Sequence, residues 1–308
     1  MRYLLILLFI ISCNSIPVDN NLNLLPSVQV LSNLEEFSNL NPKNVLTAYS
    51  ISNNELPIRY GDIEQVELSD SNKSIIDFGI DEQMDLKKEG YTLKIDNKKI
   101  TIRAKDSAGL FYAFITLDQI IEDSKNNQTT LPMVDIKDFP SLEFRPIHID
   151  IKHHTEKKTY YFNLIDHLAK LKVNGIIVEF EDKLKYETRP EVGSSDSFSI
   201  DWWIELSEYA HARNISINPL VQGLGHASFI LKHKKNFHLR DKPESDWAFN
   251  PLNPKTYELQ FDLYLDAIKA TPFGKYLHVG GDEVHLVQRE GKSELELNLI
   301  WLNKVCEF

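Results

Sequence analysis

The chain has 308 residues, of which 42% are hydrophobic and 26% charged, a composition typical of a globular protein with about two domains. The formal net charge of −11 and a sequence pI near 5.4 argue against a nucleic-acid-binding surface, which requires clustered lysine and arginine side chains. No long block of one charge sign occurs, so the acidity indicates a solvated surface.

The first 25 residues are typical of a targeting segment and a spacer. Residues 3–11 form an apolar run too short to span a bilayer, and the run ends in Ile-Ile-Ser before Cys13. This ending resembles a bacterial lipoprotein signal, which predicts a signal peptide over residues 1–13, lipidation of Cys13 and a membrane anchor there. A plain secretory signal is the alternative. Residues 14–25 are predicted to be a polar tether, and the chain is expected in the bacterial cell envelope, lipid-anchored or secreted.

Residues 26–140 are predicted to form a small α+β domain. Residues 91–95 and 100–103 alternate between apolar and polar side chains, which indicates a β-hairpin. Asp106 is a candidate N-cap for a helix that runs to about Ile121, because apolar residues recur there at helical spacing. No catalytic constellation occurs in this stretch, so the domain is predicted to be non-catalytic.

Residues 141–308 change to an alternation of strands and helices. Nearly continuous apolar strands that alternate with helices predict a parallel sheet. No glycine-rich phosphate loop follows any strand, which disfavours a nucleotide-binding fold. Cys306, in the last predicted helix, is expected to be a small core residue, and three of the four tryptophans, Trp202, Trp203 and Trp247, are also assigned to the core. The predicted strands are residues 145–150, 175–180, 216–221 and 276–279, and the predicted helices are residues 160–171, 202–213, 257–269 and 295–308.

Polar side chains follow the end of every one of these four strands. Residues 276–284 are the most informative stretch. They predict a buried strand that ends at two glycines and is followed by two adjacent acidic residues. Each pair alone could be a surface turn or a helix cap, but in a barrel of parallel strands the carboxyl ends meet in one mouth. The pairs are Asp150 and His153, Glu181 and Asp182, Gln222 and His226, and Asp282 and Glu283.

The run His-Val-Gly-Gly-Asp-Glu at residues 278–283 resembles the most specific signature of glycoside hydrolase family 20, the β-N-acetylhexosaminidases. The resemblance covers residues 85–308 and implies the first half of a (β/α)8 TIM barrel after a small α+β domain. A complete barrel needs about 250 residues. Because only about four βα units are recognisable, the chain is expected to be C-terminally truncated and to be inactive, or nearly so, on its own.

The resemblance also implies an activity and a set of roles. The family removes a terminal β-linked N-acetylhexosamine (GlcNAc or GalNAc) from an oligosaccharide or glycoconjugate, with retention, because the substrate's own 2-acetamido oxygen attacks the anomeric carbon. This scheme needs no cofactor and no metal. It makes Glu283 the general acid and base, and it assigns the orientation of the acetamido group to Asp282. The substrate-binding positions that it implies are Arg145, Asp150, Asp182 and His226, with His226 near the general acid.

Two stretches depart from the commonest family pattern. The third strand continues as residues 219–226, PLVQGLGH, and the second ends with Glu181 and Asp182 instead of two aspartates. Both variations are similar to the hexosaminidase D branch, which leans toward galactosaminides.

Two readings from other classes stay open. A non-catalytic sugar-binding surface lipoprotein would keep Arg145, Asp150 and Asp182 for recognition, although binding alone does not require the acid pair. A metal-dependent barrel hydrolase would need zinc-type ligands, although the first strand lacks a clear paired-histidine spacing. Its ligands would come from His148, Asp150, His153, His226 and Asp282.

Overall fold

The computed structural model describes residues 22–45, 75–152 and 154–308. Cys13 and the whole predicted signal peptide lie outside these ranges. The described residues fall into two compact units, one of residues 22–45 and 75–139 and the other of residues 140–308. Among the described helices, each is too short or too polar to cross a bilayer.

The first unit is a five-stranded sheet with one long helix. Its elements are β1 (Val30–Phe37), β2 (Ile76–Ile80), β3 (Tyr91–Ile95), β4 (Ile100–Ala104), α1 (Ser107–Asn126) and β5 (Pro132–Asp138). The strand order is β1-β5-β3-β4-β2; β4 and β2 are parallel, and all other neighbours are antiparallel. The helix packs on β3 and β4, and the side chains between them are fully buried.

The predicted hairpin and helix of this unit are confirmed. Ile95 pairs with Ile100 across the turn, and the Asp106 side chain accepts a hydrogen bond from the Gly109 N–H at 2.8 Å, as an N-cap does. The helix continues five residues beyond the predicted end, to Asn126. Residues 23–25, assigned above to the tether, lie against α1, because the Leu25 N–H donates to Gln119 at 2.9 Å.

The second unit alternates strands and helices around a parallel sheet. Its elements are β6 (Pro146–Asp150), α2 (Lys158–Lys170), β7 (Gly175–Glu179), the short pair β8 (Leu184–Lys185) and β9 (Phe198–Ser199), α3 (Ile200–His211), β10 (Ser216–Gly223), α4 (Ser228–Leu231), α5 (Pro254–Ala270), β11 (His278–Gly280) and α6 (Glu294–Cys306). The main sheet has four strands, all parallel, in the order β11-β10-β7-β6. This arrangement confirms the predicted alternation of strands and helices.

The last strand is shorter and more exposed than predicted. Tyr276 is 58% exposed, and β11 pairs only with β10 in the part of the chain that the structure describes. The N–H groups of Lys275 and Tyr276 both donate to the buried Asn218 side chain, at 2.8 and 3.0 Å, instead of to a strand ladder. The predicted strand is confirmed at His278–Gly280, whereas its predicted start at residue 276 and its predicted burial are wrong.

The prediction that Cys306 is a core residue is also wrong. It lies on the exposed side of α6, while the buried side is formed by Leu297, Trp301 and Val305. An apolar residue next to a buried helical position points about 100° away from it, so adjacency to Val305 did not imply burial.

Candidate active site

The acid pair follows β11 in a loop that depends on two glycines. Gly280 and Gly281 have positive φ values of 75° and 101°, which glycine adopts without strain. A Cβ on Gly280 would collide with the Gln222 side-chain oxygen, so no larger residue fits there without rearrangement. The side chains beyond this turn are open to solvent: Asp282 is 61% exposed and Glu283 is 73% exposed.

His226 joins this acid pair from the loop after β10. Its Nε2 lies 3.3 Å from Asp282 Oδ2 and 3.4 Å from Glu283 Oε2, within ion-pair range of both carboxylates, although neither contact has hydrogen-bond geometry. His226 and Glu283 both adopt left-handed backbone conformations, with φ values of 50° and 48°. Such strain is characteristic of functional sites, because the surroundings must enforce it.

Trp247 completes this group, although the sequence analysis assigned it to the core. Its ring lies 4.4 Å from the His226 ring, and its Nε1–H donates to the Glu283 carbonyl oxygen at 3.0 Å. Trp202 and Trp203 are buried, as expected. No periodic signal could have separated Trp247 from them, because it lies outside any helix or strand.

A second group lies at the carboxyl ends of β6 and β7 and centres on Glu179. The Glu179 side chain is only 4% exposed, and its Oε1 accepts hydrogen bonds from Lys152 Nζ at 3.1 Å and Gln222 Nε2 at 2.9 Å. His148 Nε2 lies 3.2 Å from its other oxygen. Lys152 also pairs with Asp150 at 3.1 Å. Asp150 and Gln222 were expected here from the sequence, but Lys152 and Glu179 were not. The available signal for Glu179 was a charged residue inside an apolar strand.

The charges of this group act on one another. Burial alone would lower the pKa of Lys152, but hydrogen bonds to Asp150 and Glu179 raise it above its usual value, so the amine stays protonated. Glu181 shows the opposite balance. Burial above all, helped by the nearby carboxylates of Glu179, Asp150 and Asp182, raises its pKa to about 7 against the lowering effect of Lys152. The site therefore contains a carboxyl group that titrates near neutral pH.

Asp182 lies in the short turn after β7, and two lysines hold it. Lys232 Nζ is 3.0 Å from its Oδ2, and Lys183 Nζ is 3.3 Å from its Oδ1. Its carboxylate therefore faces positive charge on both sides, whereas Asp282 and Glu283 face a single histidine.

Arg145 is the one predicted site residue that the structure places away from the others. It immediately precedes β6, at the amino end of the parallel sheet, and a five-residue strand separates the two ends of a sheet by about 15 Å. Its guanidinium donates to the carbonyl oxygens of Lys172 at 2.9 Å and Leu142 at 2.8 Å. Its assignment to the substrate stays a prediction.

Across residues 22–45, 75–152 and 154–308, no three His, Cys, Asp or Glu side chains are placed to hold a metal ion together. His153, one of the ligands considered for a metal site, lies outside these ranges.

Comparisons with known proteins agree with this architecture. Residues 24–139 match glycosyl hydrolase family 20, domain 2, and residues 142–299 match the glycosyl hydrolase family 20 catalytic domain. The chain is 28% identical over 161 residues to a hexosaminidase D of Bos taurus, covering 52% of this chain and 45% of the relative. It is 28% identical over 251 residues to a β-hexosaminidase of Porphyromonas gingivalis, covering 71% and 32%.

Solved structures show the same fold. The crystal structure of a β-N-acetylhexosaminidase from Bacteroides fragilis superimposes with a TM-score of 0.71 at 19% identity, over 92% of this chain and 63% of that one. The α/β class, with barrel-type βα units after a small α+β unit, is thereby confirmed. The chain spans less than half the length of the two curated relatives just described. Because the catalytic-domain match covers half of the chain, the protein belongs to glycosyl hydrolase family 20.

Proposed function

We propose that the enzyme of which this chain is part is a retaining exo-β-N-acetylhexosaminidase that releases terminal GlcNAc or GalNAc. One observation carries the proposal: Asp282 and Glu283 converge on His226 within 3.4 Å at the carboxyl edge of a parallel sheet. In parallel barrels this edge is where reactions take place. The similarity to a hexosaminidase D and to a β-hexosaminidase supports the same activity.

The proposed reaction has two steps. In the first, the acetamido oxygen of the substrate attacks the anomeric carbon and the glycosidic bond breaks, while Glu283 gives its proton to the leaving oxygen. Asp282 accepts a hydrogen bond from the acetamido N–H and stabilises the positive charge of the oxazolinium intermediate. In the second step water attacks the anomeric carbon, the bond between that carbon and the acetamido oxygen breaks, and the Glu283 carboxylate takes the proton of that water. The enzyme therefore needs no carboxylate nucleophile of its own.

The remaining predicted residues have supporting tasks in this proposal. Asp150 and Asp182 lie at the carboxyl ends of β6 and β7, on the side of the sheet edge where the sugar would bind. His226 can hold the side chains of Asp282 and Glu283 in position, since its Nε2 is within ion-pair distance of both carboxylates. No cofactor or metal takes part.

The proposal is tested with two chromogenic β-glycosides that differ only in a 2-acetamido or a 2-hydroxyl group. The expected result is hydrolysis of the 2-acetamido sugar alone, and loss of turnover by about a thousandfold or more in Glu283→Gln with binding retained. Glu290→Gln is the matched control, since it changes an exposed glutamate in the same loop. Equal cleavage of both sugars would contradict the acetamido nucleophile, and binding with no turnover in any form would favour the sugar-binding lipoprotein.

We also propose that the 308-residue chain alone has little activity. The curated relatives are more than twice the length that this chain covers, and both outer strands of its sheet, β6 and β11, have one neighbour each among the described residues. The same assay on this chain and on a version extended through eight βα units tests the point. Full hydrolysis by the 308-residue chain would contradict it.

For localisation we propose a lipid anchor at Cys13 in a bacterial envelope, supported by the sequence before that residue. Cys13→Ala should move the protein from the membrane fraction to the soluble fraction and abolish incorporation of a labelled fatty acid. An unchanged distribution of the variant would contradict lipidation at this residue.

A further inference from the structure

Residues 239–250 form a small hairpin between β10 and α5, called here the 239–250 hairpin. The Asn250 N–H donates to the Leu239 carbonyl at 2.8 Å, and the Asp241 N–H donates to the Ala248 carbonyl at 2.8 Å. Arg240 and Phe249 form an antiparallel bridge between these two bonds. The hairpin carries no residue that the proposed reaction uses, yet it contacts both loops that do.

One side of the hairpin is bonded to the histidine loop, residues 224–227. The Phe249 N–H donates to the Leu224 carbonyl at 2.8 Å, and the Ala227 N–H donates to the Trp247 carbonyl at 2.9 Å. These two bonds flank His226, whose ring also packs against the Trp247 ring. The hairpin therefore fixes the backbone on both sides of the histidine.

The other side is bonded to the acid loop, residues 281–290. Trp247 Nε1–H donates to the Glu283 carbonyl at 3.0 Å. The Asp241 carboxylate accepts the Val287 N–H at 2.9 Å on one oxygen and Arg289 Nε–H at 3.0 Å on the other. The hairpin thus holds the acid loop at one point beside Glu283 and at two points further along.

The burial of Asp241 is the strongest evidence that the hairpin holds the acid loop. Its side chain is only 2% exposed, and a buried carboxylate is tolerated only when charge and hydrogen bonds compensate it. Both of its side-chain partners named above belong to the acid loop. Its burial is thus explained by that loop being held against the hairpin.

The need for such a support follows from the backbone. Leu224, His226 and Glu283 all have left-handed conformations, with φ values of 62°, 50° and 48°. Each is unfavourable for a residue with a Cβ and persists only where surrounding contacts enforce it. The hairpin supplies contacts of this kind to both loops at once.

We propose that Asp241 and Trp247 are positioning residues, which hold Glu283 against His226 through the 239–250 hairpin. The catalytic consequence rests on the proposed function. The structural part, that the hairpin fixes the acid loop, does not depend on any activity.

Two variants remove single contacts. Trp247→Phe keeps a ring beside His226 but removes the donor to the Glu283 carbonyl, and Asp241→Asn keeps the shape but removes the charge that pairs with Arg289. The matched control is Asp262→Asn on α5, because Asp262 also pairs with an arginine, Arg189, with Nε–Oδ2 and Nη2–Oδ2 distances of 2.8 and 2.6 Å. That pair does not contact the acid loop.

The first readout is amide hydrogen exchange at Val287 in the 308-residue chain, followed by NMR. Asp241→Asn should speed this exchange by about tenfold or more, since the amide loses a charged acceptor, and Asp262→Asn should leave it unchanged. The second readout is steady-state kinetics in the barrel-complete enzyme. Both hairpin variants should lower kcat by about five- to tenfold, with KM changed by less than about twofold.

The outcomes separate the two proposals. If Glu283→Gln abolishes hydrolysis while both hairpin variants keep the wild-type kcat and Val287 exchange, the positioning role is overturned and the function stands. If no form of the protein hydrolyses either sugar, faster Val287 exchange in Asp241→Asn still supports the structural role, and unchanged exchange overturns it. Should Asp241→Asn fail to fold, Trp247→Phe decides the question through kcat.

Discussion

Glu181 lies at the carboxyl end of β7, in a turn where its own φ is 42°. Burial is the main cause that raises its pKa from 4.5 to about 7; Lys152 acts against this rise, and three neighbouring carboxylates add to it. Below pH 4.5 this group is protonated in both the folded and the unfolded chain. As the pH rises from 4.5 to 7, the unfolded chain releases the proton first, so unfolding becomes easier. The contribution of Glu181 to the free energy of unfolding is therefore most favourable at low pH, and it decreases as the pH rises to about 7.

The first prediction follows from this loss of stability with rising pH. Between pH 5 and pH 8 the free energy of unfolding of the wild type should fall by roughly 2–3 kcal/mol more than that of Glu181→Gln, whose side chain does not titrate. Urea unfolding at the two pH values, followed by tryptophan fluorescence, measures this difference. Glu258→Gln changes an exposed glutamate of α5 and should keep the wild-type pH dependence. The same pH dependence in wild type and Glu181→Gln would contradict the raised pKa.

At the scale of elements, the junction between β10 and β11 depends on Gly280 having no side chain. Gly280 pairs with Gly223 at the end of β10, has a φ of 75°, and leaves the space of its missing Cβ to the Gln222 side-chain oxygen. Gln222 in turn donates to the buried Glu179. The turn that presents the acid pair is therefore coupled to the buried charged group one strand further in.

The second prediction is that Gly280→Ala lowers the free energy of unfolding by about 2–4 kcal/mol, through a left-handed alanine and overpacking against Gln222. Urea unfolding followed by tryptophan fluorescence is the measurement. Adding Gln222→Ala removes the clash but not the backbone strain. The double variant should thus lose less stability than the sum of the two single variants. Strictly additive losses would show that the two residues do not interact.

The regular elements could be predicted from sequence because their signals are local. Alternation identified β3 and β4, helical spacing identified α1 and α2, and apolar runs identified β7 and β10. The failures required knowledge of neighbours. The exposure of Tyr276 follows from the edge position of β11 and from Asn218, which takes its N–H. The position of Asp241 depends on a loop 46 residues away in sequence, which no periodicity records.

The candidate site was likewise predictable only in part. That Asp150, Asp182, His226 and Asp282 all lie at carboxyl strand ends could be predicted, because parallel strands present these ends at one edge. The family resemblance implied that His226 lies near the general acid, and it does lie against the acid pair. The lysines that hold Asp182 were not predictable. These choices depend on loop conformations that left-handed residues determine.

At the scale of the whole molecule, the two compact units differ in their chromophores. All four tryptophans, Trp202, Trp203, Trp247 and Trp301, belong to the unit of residues 140–308. The other unit has its own buried core, in which Phe111 is fully buried on α1. Tryptophan fluorescence therefore reports on one unit, whereas far-UV circular dichroism reports on both.

The third prediction uses this asymmetry. Phe111→Ala should remove about 3–5 kcal/mol from the first unit, since it opens a cavity in a fully buried core. The urea midpoint followed by circular dichroism should then fall, while the midpoint followed by tryptophan fluorescence stays at its wild-type value. Phe180→Ala is the matched variant in the second unit, because Phe180 is equally buried and its ring lies 4.8 Å from that of Trp203. It should lower the fluorescence midpoint. Probes that agree in every variant would instead identify a single cooperative transition, in which each core stabilises the other.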